Sequence, residues 1–388
     1  MISKKIKTLH FNWYYLPVFA IALGGLANMI YLFISHYRIY TDIGYESFCA
    51  ISRAINCDTV SQSPYSILLG MPVAVWGILS YLFVIYILSL AGTQSANKQR
   101  VWPLLFWVAF AFTVYSLILA YISTFYIHSY CIMCILGYVV NFALLYYAWF
   151  NNRRFCNKGL IRGLVNDVLF LKDHWKSSFP IVIVLIVFSA TGSFWFPQYW
   201  QMNPPALLKN TPTGITEEGY PWIGAENPEL IITEFSDYLC FPCKKMHYFL
   251  RRLIENHPDK IRLIHRQFPM DHTINPLVKE PYHIGSAKLS MLSIYATEKG
   301  KFWEMNDYLF NISREIEALN MRDIAENTDL EFEDMHYVFN DKRLWNILWK
   351  DIKDGIKTHQ LTGTPGFIIN GQTYLGQIPA DFLKPYLK

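Results

Sequence analysis

Charged residues are scarce in this sequence of 388 residues, in which Lys, Arg, Asp and Glu make up 16% and apolar types 53%. Soluble globular domains carry roughly 25% charged residues, so the composition excludes a uniformly soluble globule. It also excludes a disordered chain, which needs low hydrophobicity and high net charge. The net charge of +4 is too small to indicate nucleic-acid binding. Cysteine is scarce as well, and 7 cysteines are too few for a disulfide scaffold.

The few charges are unevenly distributed along the chain. Residues 1–200 contain 13 basic and 5 acidic residues, whereas residues 201–388 contain 21 basic and 25 acidic residues. Residues 101–150 contain no Lys, Arg, Asp or Glu at all. A chain of this length has room for two or three domains of roughly 100–200 residues each. We therefore expect an apolar, basic membrane half followed by a soluble, mildly acidic half.

Four apolar runs are long enough to cross a bilayer, which takes about 20 residues. They are Leu16–Ser35, Ile67–Ala91, Trp102–Ile122 and Cys131–Phe150, and the shorter run Phe179–Phe196 is a fifth candidate. Buried helices of a soluble core are the alternative, but such helices rarely lack charges over so long a stretch. The first run is too long for the apolar part of a typical signal peptide and shows no small-residue cleavage site, so we expect a retained anchor.

Basic residues between the apolar runs indicate the orientation, because cytoplasmic loops carry an excess of Lys and Arg. With five spans, the basic segments all fall on one side, which places the N-terminus in the cytoplasm. The opposite side then holds the loop His36–Ser66, the turn Tyr126–Tyr130 and everything after Phe196. The basic residues of these segments are Lys4, Lys5, Lys7, Lys98, Arg100, Arg153, Arg154, Lys158, Arg162, Lys172 and Lys176.

Six of the seven cysteines form three pairs along the sequence. All three pairs fall on the non-cytoplasmic side of this topology, where an oxidising environment lets disulfides form and persist. Cys156 falls on the cytoplasmic side and is expected to be a bystander. The pairs are Cys49 with Cys57, Cys131 with Cys134, and Cys240 with Cys243.

The pair Cys240-x-x-Cys243 follows a predicted buried strand, Leu230–Phe235, and begins a predicted helix. A helix N-terminus offers free amide groups and the positive end of the helix dipole, which favour a thiolate. We therefore interpret Cys240 as an exposed nucleophile and Cys243 as its more buried partner. A zinc site with His247 as one ligand, or an inert disulfide, are the alternatives, but this half contains no second Cys-x-x-Cys.

Residues 228–388 resemble a thioredoxin-fold domain of the DsbA type. The segments that carry the resemblance are Thr233-Glu234-Phe235-Ser236-Asp237, Cys240-Phe241-Pro242-Cys243, Lys301-Phe302-Trp303-Glu304 within a helical insertion, and Gly363-Thr364-Pro365-Gly366. The resemblance implies a cis bond before Pro365 in a loop that packs against the dithiol. It also implies that Glu234 is a buried acid that moves protons near the second cysteine; an ordinary polar residue at a strand end is the alternative. Strong oxidants of this family carry a His between the two cysteines, and its absence here predicts a less oxidising disulfide.

The two cysteine pairs of the first half gain meaning when they are taken together. Cys131 and Cys134 lie at the entry to the fourth apolar run, where two small apolar residues in a span are the alternative interpretation. Cys49 and Cys57 lie in the first outer loop and alone suggest a structural disulfide. Together, residues 14–150 resemble the vitamin K epoxide reductase family in its bacterial form. The supporting residues are Cys49, Cys57-Asp58-Thr59-Val60, Ser63-Pro64-Tyr65-Ser66, Leu69-Gly70-Met71-Pro72, Gly77, Cys131, Cys134 and Tyr138.

The two resemblances imply a fold and a domain order, because bacterial members are known as fusions to thioredoxin-like domains through a fifth span. We predict a membrane all-α helical bundle over residues 1–150 and a cytoplasmic loop with the fifth span over 151–197. A linker over 198–227 then leads to an α/β thioredoxin-like domain with a helical insertion over 228–388. The implied location is the inner membrane of a bacterium, with the thioredoxin-like domain on the periplasmic side.

The resemblance to the reductase family also implies roles for single residues. Cys134 would pass electrons to a quinone, ubiquinone or menaquinone, and Cys131 would receive them from Cys57. Cys49 would exchange with the thioredoxin-like domain. The quinone pocket would include Tyr138, which lies one helical turn beyond Cys134, and more weakly Ser66. An interfacial aromatic residue is an equally good interpretation of Tyr138.

The predicted activity is therefore a membrane oxidoreductase that forms disulfides in newly exported, reduced proteins. Electrons pass from the client through the three cysteine pairs to the quinone pool, and this exchange needs no metal. Two other classes of function stay open. One is an importer of electrons that reduces periplasmic disulfides, which needs membrane cysteines reachable from both sides. The other is a non-enzymatic receptor or scaffold with structural disulfides.

Overall fold

The structure is a computed structural model in which the chain forms two compact units, Met1–Gln201 and Met202–Lys388. Each unit is described by itself. The described residues are 11–51, 54–92, 101–156, 159–173, 183, 187, 188, 190–192, 194–202, 211–312 and 320–386.

The first unit is a bundle of apolar helices. Four of its helices are long and apolar enough to cross a membrane, which confirms the four predicted spans. The first long helix packs against the second and fourth, and the third packs against the fourth. Small buried side chains such as Ala22, Ala109 and Ala148 let these helices approach closely. The helices are α1 at Asn12–Thr41, the short α2 at Cys57–Gln62, α3 at Val73–Gly92, α4 at Trp102–Ile122 and α5 at Ile132–Phe155.

Some of the sequence predictions concern residues that the structure does not describe. Half of the residues of the fifth predicted span, Phe179–Phe196, lie outside the described residues. The same holds for part of the basic set that indicated the orientation, namely Lys4, Lys5, Lys7, Lys98, Arg100, Lys158 and Lys176.

The second span begins later than the sequence suggested, at Val73 instead of Ile67. The residues before it form a short antiparallel hairpin, β1 at Ile67–Leu68 and β2 at Met71–Pro72. Leu69 and Gly70 make its turn with φ of 48° and 74°, a backbone conformation that cannot continue a helix. An apolar hairpin of this kind has the same composition as the end of a span, so hydropathy alone merges the two.

A further helix, α6 at Leu160–Asp173, lies in the segment predicted as a cytoplasmic loop. It packs against α4, where the Asp167 carboxylate accepts a hydrogen bond of 3.1 Å from the Leu104 amide. This carboxylate therefore satisfies one of the free amide groups at the start of α4.

The second unit contains a six-stranded sheet in the order β3-β4-β6-β5-β7-β8. The two central strands, β5 and β6, are parallel, and each further pairing is antiparallel. Both strands that the sequence predicted, near Leu230–Phe235 and Ile261–Phe268, are confirmed. The bounds are β3 at Thr213–Ile215, β4 at Pro221–Gly224, β5 at Leu230–Ser236, β6 at Ile261–Gln267, β7 at Gly366–Ile369 and β8 at Gln372–Leu375.

Helices of the second unit follow the predicted pattern. A crossover helix, α7 at Phe241–Asn256, joins β5 to β6 and makes their parallel pairing possible. The predicted helical insertion between β6 and β7 is confirmed, and its buried residues share one apolar core with Phe235 and Phe268. The remaining helices are α8 at Ser286–Glu298, α9 at Phe302–Ile312, α10 at Met321–Thr328, α11 at Phe332–Met335, α12 at Lys342–Lys357 and α13 at Ala380–Leu383.

The segment 198–227, which the sequence suggested is a linker, contains the strands β3 and β4. Residues 213–224 of this segment thus belong to the sheet, where Trp222 of β4 pairs with Ile264 of β6. Residues 203–210 lie outside the described residues, and the linker stays a prediction there.

Candidate active site

The dithiol of the second unit lies where β5 leads into α7. Cys240 is the N-cap residue of α7, and its Sγ accepts a hydrogen bond of 3.4 Å from the Cys243 amide. Both cysteines are buried, which corrects the expectation that Cys240 is exposed. Cys240 is 6% exposed and is still the more accessible thiol, because Cys243 is fully buried. Burial raises the pKa of Cys240, but the hydrogen bond with Cys243 and the charge of His283 offset it, and the net pKa is lowered. Burial also raises the pKa of Cys243, which lies well above its ordinary value.

The loop before β7 lies beside this dithiol. The bond between Thr364 and Pro365 is cis, as predicted. The Cys240 thiol donates a hydrogen bond of 3.6 Å to the Thr364 carbonyl oxygen. The loop therefore contacts the more accessible sulfur directly.

Asp237, a buried aspartate three residues before Cys240, pairs with a histidine that the sequence did not indicate. Asp237 is completely buried and accepts hydrogen bonds from the amides of Leu239 at 2.7 Å and Met270 at 2.6 Å. Its Oδ2 also pairs with Nδ1 of His283 at 2.8 Å. His283 has a φ of 40°, which is uncommon for a residue with a side chain, and it stacks on Tyr282. A histidine thus contributes to the lowered pKa of Cys240 although no His lies between the two cysteines.

Glu234 is buried in the middle of β5, opposite His265 of β6. Its closest charge partner is His247 of α7, whose Nδ1 lies 3.9 Å from Oε2 of Glu234. Burial raises the pKa of Glu234, but the interactions with His247, His265 and Ser236 together lower it by more, so the net pKa is lowered. Burial lowers the pKa of His265 to about 4, so this ring is neutral at neutral pH.

The ring of His247 is held by polar groups of α7 and α9, which argues against the alternative of a zinc ligand. Its Nε2 lies 2.9 Å from Oδ1 of Asp307 and 3.0 Å from Nδ2 of Asn306. Asp307 in turn pairs with Arg251 at 3.0 Å. In the described part of the chain, no group of three or more His, Cys, Asp or Glu side chains could hold a metal ion.

In the membrane unit, the two other cysteine pairs lie together. Cys49 and Cys57 form a disulfide with a Cα–Cα distance of 5.6 Å. Both belong to one buried cluster with Cys131, against which Cys134 packs. Cys131 is the N-cap residue of α5, and its Sγ accepts a hydrogen bond of 3.2 Å from the Cys134 amide. Both Cys-x-x-Cys motifs therefore begin a helix in the same way.

Backbone hydrogen bonds hold the loop between α1 and α2 against the loop between α4 and α5. The Asn56 amide donates to the Tyr130 carbonyl at 2.9 Å, and the Tyr130 amide donates to the Ala54 carbonyl at 2.8 Å. Asn56 also caps α2, since its side chain accepts from the Asp58 and Thr59 amides. This anchoring places Cys57 next to Cys131. Cys156, the C-cap residue of α5, lies outside this cluster.

A cavity of about 330 Å³ opens between the helices of the membrane unit. Its lining brings together three residues that the sequence analysis proposed for a quinone pocket: Cys134, Tyr138 and Ser66. Most of the other lining side chains are apolar. The polar lining residues that the sequence analysis missed include His36, Tyr81, Ser116 and Asn141, and Asn141 bonds to both Tyr81 at 2.5 Å and Ser116 at 2.9 Å.

Comparison with known proteins agrees with this arrangement. Residues 16–149 match the model of the vitamin K epoxide reductase family, and residues 216–388 match a thioredoxin family model. A solved thioredoxin-like oxidoreductase from Silicibacter pomeroyi is 19% identical, with 43% of this chain and 90% of that chain covered and a TM-score of 0.35. The thiol–disulfide exchange protein α-DsbA2 from Wolbachia pipientis is 23% identical, with 43% and 84% covered and a TM-score of 0.34.

Two curated sodium/proton antiporters also contain a similar segment. NhaA 3 of Salinispora tropica is 25% identical over 153 residues, which are 39% of this chain and 22% of the antiporter. NhaA 1 of Salinispora arenicola is 26% identical over 160 residues, which are 41% and 23%. The chain thus spans less than a quarter of the length of these relatives. The two matched models show a domain of the vitamin K epoxide reductase family at residues 16–149 and a thioredoxin-family domain at residues 216–388.

Proposed function

We propose that this protein forms disulfide bonds in exported proteins and passes the electrons to a quinone of the membrane. The observation that supports this most directly is the cluster of Cys49, Cys57 and Cys131, with Cys134 packed against it and lining an apolar cavity. Thiol–disulfide exchange requires sulfur atoms that can meet, and here two pairs already touch. A structural disulfide has no need of a second dithiol at its side.

The first step takes place at the thioredoxin-family domain. A client thiolate attacks Sγ of Cys240 in the Cys240–Cys243 disulfide, and Cys243 leaves as the thiolate and takes up a proton. A second client thiolate attacks the mixed disulfide, which completes the client disulfide and leaves Cys240 reduced. The lowered pKa of Cys240 supports this order, since the better leaving group is the sulfur with the lower pKa.

The second step reoxidises this dithiol at the outer loop. The Cys240 thiolate attacks the Cys49–Cys57 disulfide at Cys49, and Cys243 then displaces Cys49. Cys49 is fully buried, so the step requires the loop around it to open. Its neighbours Phe48 and Ile51 are each 66% exposed and offer an apolar surface for the approaching domain.

The third step delivers the electrons to the membrane. Cys57 attacks Cys131 of the disulfide that Cys131 and Cys134 have formed, and Cys134 leaves as the thiolate. Cys49 then attacks Cys57, which re-forms the Cys49–Cys57 disulfide and releases Cys131, and the thiols of Cys131 and Cys134 reduce the quinone. The cavity fits such a substrate, because it is apolar, contains one redox-active sulfur and offers a few hydrogen-bonding side chains. Ubiquinone and menaquinone share the reacting ring chemistry, and either satisfies these contacts.

The proposed relay also fixes a location. Quinones are confined to a bilayer, and clients with free thiols enter an oxidising compartment from a reducing one. We therefore place the protein in the inner membrane of a bacterium, with the N-terminus in the cytoplasm. The outer loops and the thioredoxin-family domain then face the periplasm.

Reduction of a short-chain ubiquinone by the purified full chain in detergent tests the proposal, with a reduced dithiol peptide as the electron donor. We expect turnover by the wild type and by Cys156→Ala, and at least a hundredfold loss in Cys134→Ala and Cys240→Ala. If the wild type exchanges disulfides with the peptide but leaves the quinone oxidised, the proposal is wrong and the electron-importer function gains support.

A further inference from the structure

His36 is a buried ionisable residue within a membrane-spanning helix. It lies on α1, five residues before the helix ends at Thr41, and it is 4% exposed. Both ring nitrogens have partners: Nδ1 lies 2.8 Å from the hydroxyl of Tyr199, and Nε2 lies 3.3 Å from Oγ of Ser66. Ionisable groups at such positions are costly and are usually retained for function.

His36 lines the same cavity as Cys134. Among the described residues that line this cavity there is no Asp, Glu, Lys or Arg. Imidazole has an ordinary pKa of about 6.5, which makes His36 the lining group best suited to give and take protons near neutral pH. The thiol of Cys134 and the phenols of lining residues such as Tyr138 are the other titratable groups of the wall.

Several other titratable groups lie near His36. Tyr40, on the same helix, packs against its ring in a tilted arrangement and Tyr199 packs edge-on, at centroid distances of 5.2 and 5.6 Å. The charged neighbours on this helix are Arg38 and Asp42, which form an exposed salt bridge with each other at 2.8 Å. His36 is thus surrounded by phenols and hydroxyls in the described part of the unit.

The hydrogen bonds indicate which ring nitrogen of His36 carries the proton when the ring is neutral. The Ser66 hydroxyl donates to the Ser63 carbonyl at 2.8 Å, so Ser66 accepts from Nε2–H of His36. Nδ1 of the neutral ring then accepts from the Tyr199 hydroxyl. When the ring is the imidazolium, both nitrogens carry a proton, so Nε2 can release its proton toward the cavity. The neutral ring that results keeps its proton on Nδ1, which then donates to the Tyr199 hydroxyl.

Quinone reduction needs such a group, because it consumes protons as well as electrons. Two thiols, of Cys131 and Cys134, lose two electrons and two protons as their disulfide forms, and the quinone gains two of each. The sulfurs that attack do so as thiolates, so their protons are released before the quinone oxygens take theirs up. An apolar cavity holds little water that could carry protons from the thiols to the quinone oxygens.

We propose that His36 is the general acid that delivers a proton from Nε2, at the Ser66 side of the cavity, to an oxygen of the quinone. The assignment rests on the proposed function. The neutral ring then takes up, at Nε2, one of the protons that the thiols of Cys131 and Cys134 release, and it returns to the imidazolium form. Ser66 positions the ring through its hydrogen bond with Nε2.

The pH dependence of quinone reduction by the pre-reduced full chain tests this assignment, with a short-chain ubiquinone as the probe. His36→Gln keeps a hydrogen-bonding side chain of similar reach but cannot carry a proton. General acids contribute about 10²–10⁴ in rate, so we expect kcat to fall at least tenfold while KM changes less than threefold. The imidazolium form is present below the pKa of His36, so the wild-type advantage must be largest at low pH and shrink as the pH rises.

A second variant separates chemistry from structure. His36→Gly removes the ring, and added imidazole should restore kcat in proportion to its protonated fraction. Disulfide exchange between Cys57 and Cys131, measured without quinone, should stay within twofold of wild type in both variants. A loss that is the same at every pH, or a rise in KM with kcat intact, overturns the role of a general acid. Failure of the wild type to reduce quinone overturns the proposed function together with this assignment.

Discussion

His283 lies 2.8 Å from the carboxylate of Asp237, and Asp237 comes three residues before Cys240. The two residues are 46 positions apart in sequence, and the pair forms only because the loop before α8 returns to the end of β5. The charge of His283 contributes to the lowered pKa of Cys240. The chain therefore stabilises its thiolate with a histidine from outside the Cys-x-x-Cys motif.

Replacement of His283 tests this contribution. In His283→Gln the pKa of Cys240 should rise, so the thiolate appears only at higher pH. Alkylation of Cys240 in the reduced full chain, followed by mass spectrometry, should become severalfold slower below neutral pH and converge with wild type at high pH. His272→Gln is the matched control, because His272 is 3.8 Å from Asp271 and makes no contact with Asp237 among the pairs described. Superimposable alkylation profiles for wild type and His283→Gln would exclude the role.

Glu234 is expected to act at Cys243, whose raised pKa means that it needs a base before it can attack. Glu234→Gln should slow the attack of Cys243 on a mixed disulfide at Cys240 by about 10²–10⁴. The first attack by Cys240 should be unchanged. Stopped-flow release of a peptide from the mixed disulfide measures the step, with Glu229→Gln, an exposed residue just before β5, as the control. An unchanged release rate would favour the alternative that Glu234 is an ordinary polar residue of β5.

His247 should make the stability of the second unit depend on pH. Burial lowers its pKa, but Asp307 and Glu234 raise it by more, so the folded pKa exceeds the unfolded one. Such a group stabilises the fold fully below the unfolded pKa, and the contribution disappears as pH rises through the folded pKa. His247→Gln should therefore cost on the order of 1–2 kcal/mol at pH 5.5, and the deficit should narrow at high pH.

Thermal melting of the full chain in detergent, followed by near-ultraviolet circular dichroism at several pH values, measures this effect. His336→Gln is the control, because His336 is exposed next to α11. A deficit in His247→Gln that is independent of pH would show that the ring contributes packing alone.

Tyr138 should bind the quinone through its hydroxyl. One hydrogen bond contributes about 1 kcal/mol, so Tyr138→Phe should raise the KM for a short-chain ubiquinone about fivefold and leave disulfide exchange intact. Tyr146→Phe is a matched control, because Tyr146 lies on the same helix and is 57% exposed. Equal KM values in the two variants would favour the alternative of an interfacial aromatic residue.

The sequence predicted the features that depend on local patterns. The four spans follow from runs without charge, and the dithiol at the start of α7 follows from a strand, a Cys-x-x-Cys motif and an amphipathic helix. The cis bond before Pro365 was predicted through family resemblance. These features are encoded within a few neighbouring residues.

Features that depend on long-range contacts were missed. His283 and Asp237 meet across 46 positions, and His36 meets Ser66 through the packing of separate helices. The sequence placed His36 just beyond the predicted span Leu16–Ser35, in the loop His36–Ser66, so no local pattern pointed to it. The strands β3 and β4 were assigned to a linker because an edge hairpin has the Pro and Gly content of a loop.

The central claim is that electrons pass through the three cysteine pairs in a fixed order, and single-turnover oxidation tests it most directly. The full chain is reduced at all pairs, mixed without oxygen with excess quinone, and quenched by alkylation over time. We predict disulfides first at Cys131–Cys134, then at Cys49–Cys57 and last at Cys240–Cys243. In Cys49→Ala, oxidation should stop at Cys131–Cys134. Oxidation of Cys240–Cys243 in Cys49→Ala at the wild-type rate would contradict the relay.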